Sequence, residues 1–327
     1  MKSGAKLYKK VLLVIAVFSV LSSYAKKFSY NENKLGGNFK LVFYTSEKSK
    51  ADLIAKQSYL LVDSLNEILS SYIKSSKINR LNKKGKLKNT SVELLQVIEA
   101  SQIAFKKTNG YFDISVKPLM DFWNKAEKRK RLPSNKCLQK KAKTIGLNSV
   151  LNINNKEIFL KRKSKLDING IAKGYIIDEV FNFLKSKNIS NFLVEAAGDI
   201  RVSGKPEGSD LWVVGVSASN SKNYVVSLKS GQAIATSGNT YRYRVIEGKK
   251  YSHIINPKTA TPITHNVTSS VIAKNATTAD YLASTFNVVI AKNEIEKILN
   301  NYKDVEILLF NNNGTIFETN NFLNNKL

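Results

Sequence analysis

Five stretches of the 327-residue chain combine residue types that can do chemistry. In residues 165–175, KLDINGIAKGY, Asp167 precedes Gly170, and Lys173 falls in the first turn of the helix that the pattern predicts. Unpaired N–H groups at such a helix start, together with the lysine charge, make a seat for an anion. The spacing matches neither a Walker loop nor a dinucleotide fingerprint, and a glycine turn before a helix is also an ordinary connection. In residues 277–286, TTADYLASTF, Asp280 and Ser284 lie four apart on one helical face. A carboxylate and a hydroxyl so placed suit an oxygen-seeking cation such as Mg2+; the plainer alternative is an acid near a helix start. In residues 235–263, a small-residue turn at Ser237-Gly238 and an arginine hairpin lead to His253, which exchanges a proton near neutral pH or serves structurally. Residues 109–124 interleave aromatics with Asp113 and Pro118, which sandwiches a flat ring or fills a core. Residues 191–205 open at Ala197-Gly198-Asp199, a bend that admits a ligand to the backbone or only turns the chain.

A scaffold to hold these groups is readable from periodicity. Leu61, Leu65, Ile68, Leu69 and Tyr72 recur at three and four, predicting a core-facing helix over residues 53–72. A second helix starts at Thr90 with Glu93 at capping-box spacing, runs through Phe105 and closes at Asn109-Gly110. Residues 125–147 are highly charged, contain Pro133 and read as an excursion or a short helical insertion between the two halves. A short strand at 165–168 precedes a helix at 170–185, and another helix spans 277–290. Strands are expected at 192–195, 211–217, 224–228 and 234–237, with hairpins at 241–255 about Gly248 and at 305–318 about Asn313-Gly314. Hairpins with segregated helices argue an α+β fold of mixed or antiparallel sheets, not a doubly wound one.

The N-terminus carries Lys2, Lys6, Lys9 and Lys10, an apolar run at 11–21 and then Ser23-Tyr24-Ala25. That order is a secretory signal with cleavage expected after Ala25, or an uncleaved anchor of the same orientation; the run is short for a membrane span. The expected body is one domain, 26–327, exported to the periplasm or the outer face of the inner membrane. With no cysteine near the cleavage site, it is not expected to be a lipoprotein. Cys137 is the only cysteine, which excludes an internal disulfide and a thiolate cluster, and it is expected to be a partly buried structural thiol. The net charge of +27 comes from lysines spread along the chain, and with no recognition motif it does not argue for nucleic acid. Clusters at 125–131, 136–143 and 161–165 leave an acidic partner or a membrane surface open beside ordinary solvation.

In this order the segments FDISVKPL, LDINGIAKGY, AGDIRVSG, ATSG, SHIINPKTATP and ADYLAS resemble the ApbE family of FAD:protein FMN transferases from about Leu35 onward. The resemblance implies an ApbE-like, T-fold-related α+β domain that moves FMN from FAD to a threonine of an acceptor protein, releasing AMP. It implies that Asp167 and Lys173 contact FAD, and that the Gly170 carbonyl, Asp280 and Ser284 hold Mg2+. Tyr72 is expected against the dinucleotide with Phe112 and Asp113 nearby, Ile255 beside the flavin, and Leu35 where relatives often carry Met. His253, ahead of Asp280, is the candidate for the attacking proton. The implied partner is a membrane electron-transfer subunit; hydrolysis of FAD to FMN and AMP, or flavin binding without turnover, stay open as alternatives. Asn169, Ala197, Asn256, Ala260 and Ser284 replace the family's usual Gly, Gly, Asp, Gly and Thr.

Overall fold

The computed structural model describes residues 25–217, 223–238 and 243–324; the expected signal segment, apart from Ala25, lies outside them. Its frame is one eight-stranded antiparallel sheet whose strands follow chain order: β1 Lys26–Lys34, β2 Gly37–Thr45, β3 Phe192–Ala196, β4 Asp199–Ser203, β5 Ala233–Gly238, β6 Thr268–Ala273, β7 Glu306–Asn311 and β8 Gly314–Glu318. Period-two alternation splits their side chains between two cores. Phe39, Leu41, Phe192, Val194, Ala235 and Leu309 face the helices, while Val42, Leu193, Val202, Ile234 and Leu308 face away. The second face is closed by a hairpin, Trp212–Ser217 with Asn223–Leu228, which contributes Trp212, Val214, Val216 and Val226. Central strands buried on both faces therefore read as continuous apolar runs.

Five helices matter for the site: α1 Lys48–Leu69, α2 Val92–Lys107, α3 Lys117–Lys128, α4 Asn169–Ser186 and α5 Ala276–Val288. The α+β reading is the observed architecture. Among the described residues no helix is long and apolar enough to cross a membrane.

Several local expectations are corrected. The first helix ends at Leu69, and Tyr72, far from being core-facing, is 76% exposed. The chain leaves helical geometry at Ser70 (ψ 126°), and Asn79 Nδ2 donates to the carbonyls of Ser71 and Ile73, both at 2.9 Å, fixing the loop. The second helix begins at Val92 with Ser91 as its N-cap; Thr90 Oγ1 instead turns back to the Leu87 carbonyl. Residues 165–168 are not a strand, because their backbone groups pair with the Asn82 side chain and the Ile114 carbonyl, not with a neighbouring ladder. Cys137 is exposed, since its short helix, Asn135–Ala142, buries none of its residues fully.

Candidate active site

The site is built where α4 crosses α5. A Cβ on Gly174 would fall inside the Ala276 carbonyl and 2.8 Å from Thr277 Cα, so only glycine permits the helices to come this close. The start of α5 is held from α4 by Asp178: Oδ1 accepts from the Ala276 N–H (2.8 Å), and Oδ2 accepts from the Thr277 N–H (2.9 Å) and hydroxyl (2.5 Å). Arg201 Nη1 adds an ion pair to Asp178 at 2.8 Å, and Asn275 caps the Thr278 N–H. Replacing Asp178 by Ala leaves these buried donors and the guanidinium unpaired, so it is expected to cost about 3 kcal/mol, read as a shifted denaturant midpoint with unchanged slope.

The same crossing aims Asp280. Its Oδ2 accepts from the Gly174 N–H at 2.9 Å, and the residue is 7% exposed. Beside it, Lys173 Nζ pairs with Asp199 Oδ2 at 2.8 Å, and Asp199 Oδ1 accepts from the Thr236 N–H at 3.2 Å. Asp178 has Arg201 and Asp199 has Lys173, but among the described residues Asp280 makes no ion pair. Burial, and then the Asp199 charge, push the Asp280 carboxyl up to about 7, with Lys173 and the Gly174 N–H pulling it down. Burial also raises Asp199, opposed by Lys173.

Gly170 lies one turn before Gly174. A Cβ there would sit 3.0 Å from Ser284 Oγ and 3.3 Å from the Phe112 ring, so its bare backbone closes onto both. Phe112 leans on Tyr281 with ring centroids 5.5 Å apart. Asp280, buried and without an ion pair among the described residues, and Ser284, one turn further along α5 and against the bare backbone of Gly170, are oxygen donors whose chemistry fits a hard divalent ion.

The remaining predicted residues divide. Asp167 Oδ1 accepts from the Asn169 N–H at 2.9 Å; burial raises its carboxyl, and the Lys117 and His253 charges, which lower it, mark both as neighbours. Tyr72 stands on a loop tied to the start of α4, since Ser71 Oγ donates to Asn169 Oδ1 at 2.9 Å. Leu35 occupies the β1–β2 turn at φ 55°, beside the Ala197-Gly198 turn that leads into Asp199. Asp113 Oδ1 accepts from the Ser115 N–H and hydroxyl, and Oδ2 from the Gly146 N–H. Ile255 is buried in a satellite core with Leu119, Trp123 and Ala260. Asn256 Oδ1 accepts from the Lys258 N–H at 2.9 Å, a turn that needs only an oxygen acceptor and so survives the exchange of Asp for Asn. Ala197 (φ 48°) and Ala260 (φ 58°) are left-handed, which explains why glycine is usual there.

Sequence reasoning passed over Asp178 and over Asp199 as a carboxylate, as well as Asn79 and Asn82. The asparagines, three apart on the helix Lys77–Lys84, clamp the Tyr72 loop and the Asp167 segment respectively. Polar side chains at helical spacing between two loops were the available signal.

The ApbE family model matches residues 35–309. The FAD:protein FMN transferase of Haemophilus influenzae is 28% identical over 288 residues, 83% of this chain and 81% of that protein. The FAD:protein FMN transferase of Vibrio cholerae is 30% identical over 240 residues, 70% of this chain and 71% of its own. The crystal structure of the ApbE protein from Thermotoga maritima superposes with a TM-score of 0.80 at 28% identity, covering 92% of this chain and 100% of that one. Matched over most of its length in sequence and in backbone, the chain belongs to the ApbE family.

Proposed function

We propose that this chain transfers FMN from FAD to a threonine hydroxyl of an acceptor protein and releases AMP. The observation that carries the reading is the buried Asp280 carboxylate, which among the described residues makes no ion pair and accepts from the Gly174 N–H, one turn after the point where the Gly170 backbone closes onto Ser284 Oγ.

The start of α4 and Lys173 bind the pyrophosphate, the lysine being kept in place by Asp199. The Gly170 carbonyl, Asp280 and Ser284 Oγ would hold Mg2+, which supplies positive charge against the phosphate oxygens when bound. Tyr72 and Phe112 flank the flat part of the ligand. The threonine Oγ attacks the FMN-side phosphorus, the bond to the AMP oxygen breaks, and the pair of electrons leaves with AMP. His253, near enough to Asp167 to lower its pKa, receives the threonine proton. Phosphoryl transfer asks mostly for positioning and charge, so this set of groups suffices. The signal-like residues 1–25 support export, with an acceptor among membrane electron-transfer proteins.

The test is mass spectrometry of an acceptor protein after incubation with enzyme, FAD and Mg2+. FMN mass on a threonine is expected, and free FMN with an unmodified acceptor would overturn transfer. Because Tyr72 is 76% exposed, Tyr72→Ala is expected to leave the melting temperature unchanged while raising the KM for FAD about three- to tenfold through lost ring contact.

A further inference from the structure

We propose that the charged excursion is the docking surface for the acceptor, receiving an acidic segment close to its threonine; the partner's identity rests on the transfer reading above. Nine lysines and arginines lie between Lys125 and Lys143 against the single acid Glu127, and four more lie between Lys161 and Lys165 with none. Nearly all are exposed. Between the two groups is a cavity of about 140 Å³ lined by Pro118, Asp121, Phe122, Lys125, Lys141, Lys163 and Lys165. Asp121 is the only acid in its wall, and it is engaged by Lys117 at 2.8 Å and Lys165 at 3.4 Å. Lys125, Lys141 and Lys163 are in excess there, so the cavity seats a carboxylate brought by a partner.

This surface borders the site. Lys165 is two residues from Asp167, and Lys117, at the head of α3, lowers the Asp167 pKa. Further along α3, Trp123 Nε1 donates to the Ala260 carbonyl and Asn124 Oδ1 accepts from Arg244 Nε, joining the excursion to the segment that carries His253. The excursion's apolar residues argue for an acidic polypeptide over a lipid surface. Phe122, Leu138, Ala142 and Ile145 are partly buried against the satellite core, and among the described residues 125–147 Leu132 alone is an exposed large apolar side chain, where interfacial helices present a whole apolar face.

The test uses fluorescein-labelled hexaglutamate in anisotropy titrations of the full chain, and co-sedimentation with phosphatidylcholine vesicles with and without phosphatidylglycerol. The peptide is expected to bind with an affinity that falls about tenfold between low and moderate salt. The triple variant Lys125→Gln, Lys141→Gln, Lys163→Gln is expected to bind about tenfold more weakly, at unchanged melting temperature and FAD affinity. A control triple of equal charge, Lys229→Gln, Lys292→Gln, Lys303→Gln, is expected to bind like wild type. Equal losses in both triples would reduce the effect to net charge and overturn the proposal, as would vesicle binding without peptide binding. Because these readouts need no turnover, they fail independently of transfer; in flavinylation assays the first triple raises the acceptor KM and leaves the KM for FAD alone.

Discussion

Asp280→Asn is expected to abolish transfer and, in metal-free protein, to raise stability. Loss of the carboxylate removes the charge that gathers the cation, a fall in kcat/KM on the order of a thousandfold, about 4 kcal/mol of barrier. Stability moves the other way because the native state strains to keep this group ionised: its carboxyl titrates at about 7 against an ordinary 3.8. Below the ordinary value both the folded and the unfolded chain hold the proton, and the group contributes nothing. Between the two values the folded state keeps a proton that the unfolded chain has released, so wild-type stability falls as pH rises. Above about pH 7 the whole penalty is present, roughly 4 kcal/mol for a carboxyl raised from 3.8 to about 7. Asparagine keeps an oxygen for the Gly174 N–H and carries no charge. Thermal unfolding in chelator is therefore expected to show the variant matching wild type near pH 4 and exceeding it at pH 8. Added Mg2+ is expected to raise the wild-type melting temperature and not the variant's. A variant less stable than wild type at pH 8 in chelator would contradict the picture of an unpaired buried charge.

The acids of the site differ in what each one meets, and here sequence and structure part company. Asp113, Asp167, Asp178, Asp199 and Asp280 look alike as letters. What separates them is contact across long stretches of chain: Asp113 with Gly146, Asp178 with Ala276 and Arg201, Asp199 with Lys173. No periodicity encodes those meetings. Some strands were legible because alternate burial on two faces leaves long apolar runs, as at β3, where Phe192 and Val194 face one core and Leu193 the other; β1, β2 and β6 were not expected from the sequence. Tyr72 misled for the converse reason, since it continues the spacing of α1 after the helix has ended, and only the Asn79 side chain reveals the break. Residues 165–168 bury Leu166 and Ile168 in alternation, as a strand would, but satisfy their backbone through Asn82 and Ile114. Their motif survived this error because Asp167, Gly170 and Lys173 depend on where α4 starts, which was read to within one residue.

Gly174→Ala is expected to damage both the fold and the site. Real Cβ atoms do not approach other heavy atoms closer than about 3 Å, yet here one would lie inside the Ala276 carbonyl and 2.8 Å from Thr277 Cα. The obstacle is backbone, and backbone held by Asp178 at that; no side chain can swing aside. The helices must separate, at about 3 kcal/mol or more by the cost of overpacking a tight core, or roughly 5 to 10 °C in melting temperature. Separation also lengthens the 2.9 Å bond from the Gly174 N–H to Asp280 and loosens the approach of Gly170 to Ser284, so activity is expected to fall further than stability predicts. Gly170→Ala serves as the contrast. Its Cβ meets a Ser284 hydroxyl at 3.0 Å and a ring edge at 3.3 Å, groups that give by a few tenths of an ångström, so the fold survives while the seat for the cation fills. Adding Ala276→Gly to Gly174→Ala is expected to rescue neither property, because the clash is with the carbonyl and not with the methyl of residue 276. A Gly174→Ala protein melting like wild type, or a double variant restored to it, would mean that α4 and α5 do not need this close approach to hold Asp280.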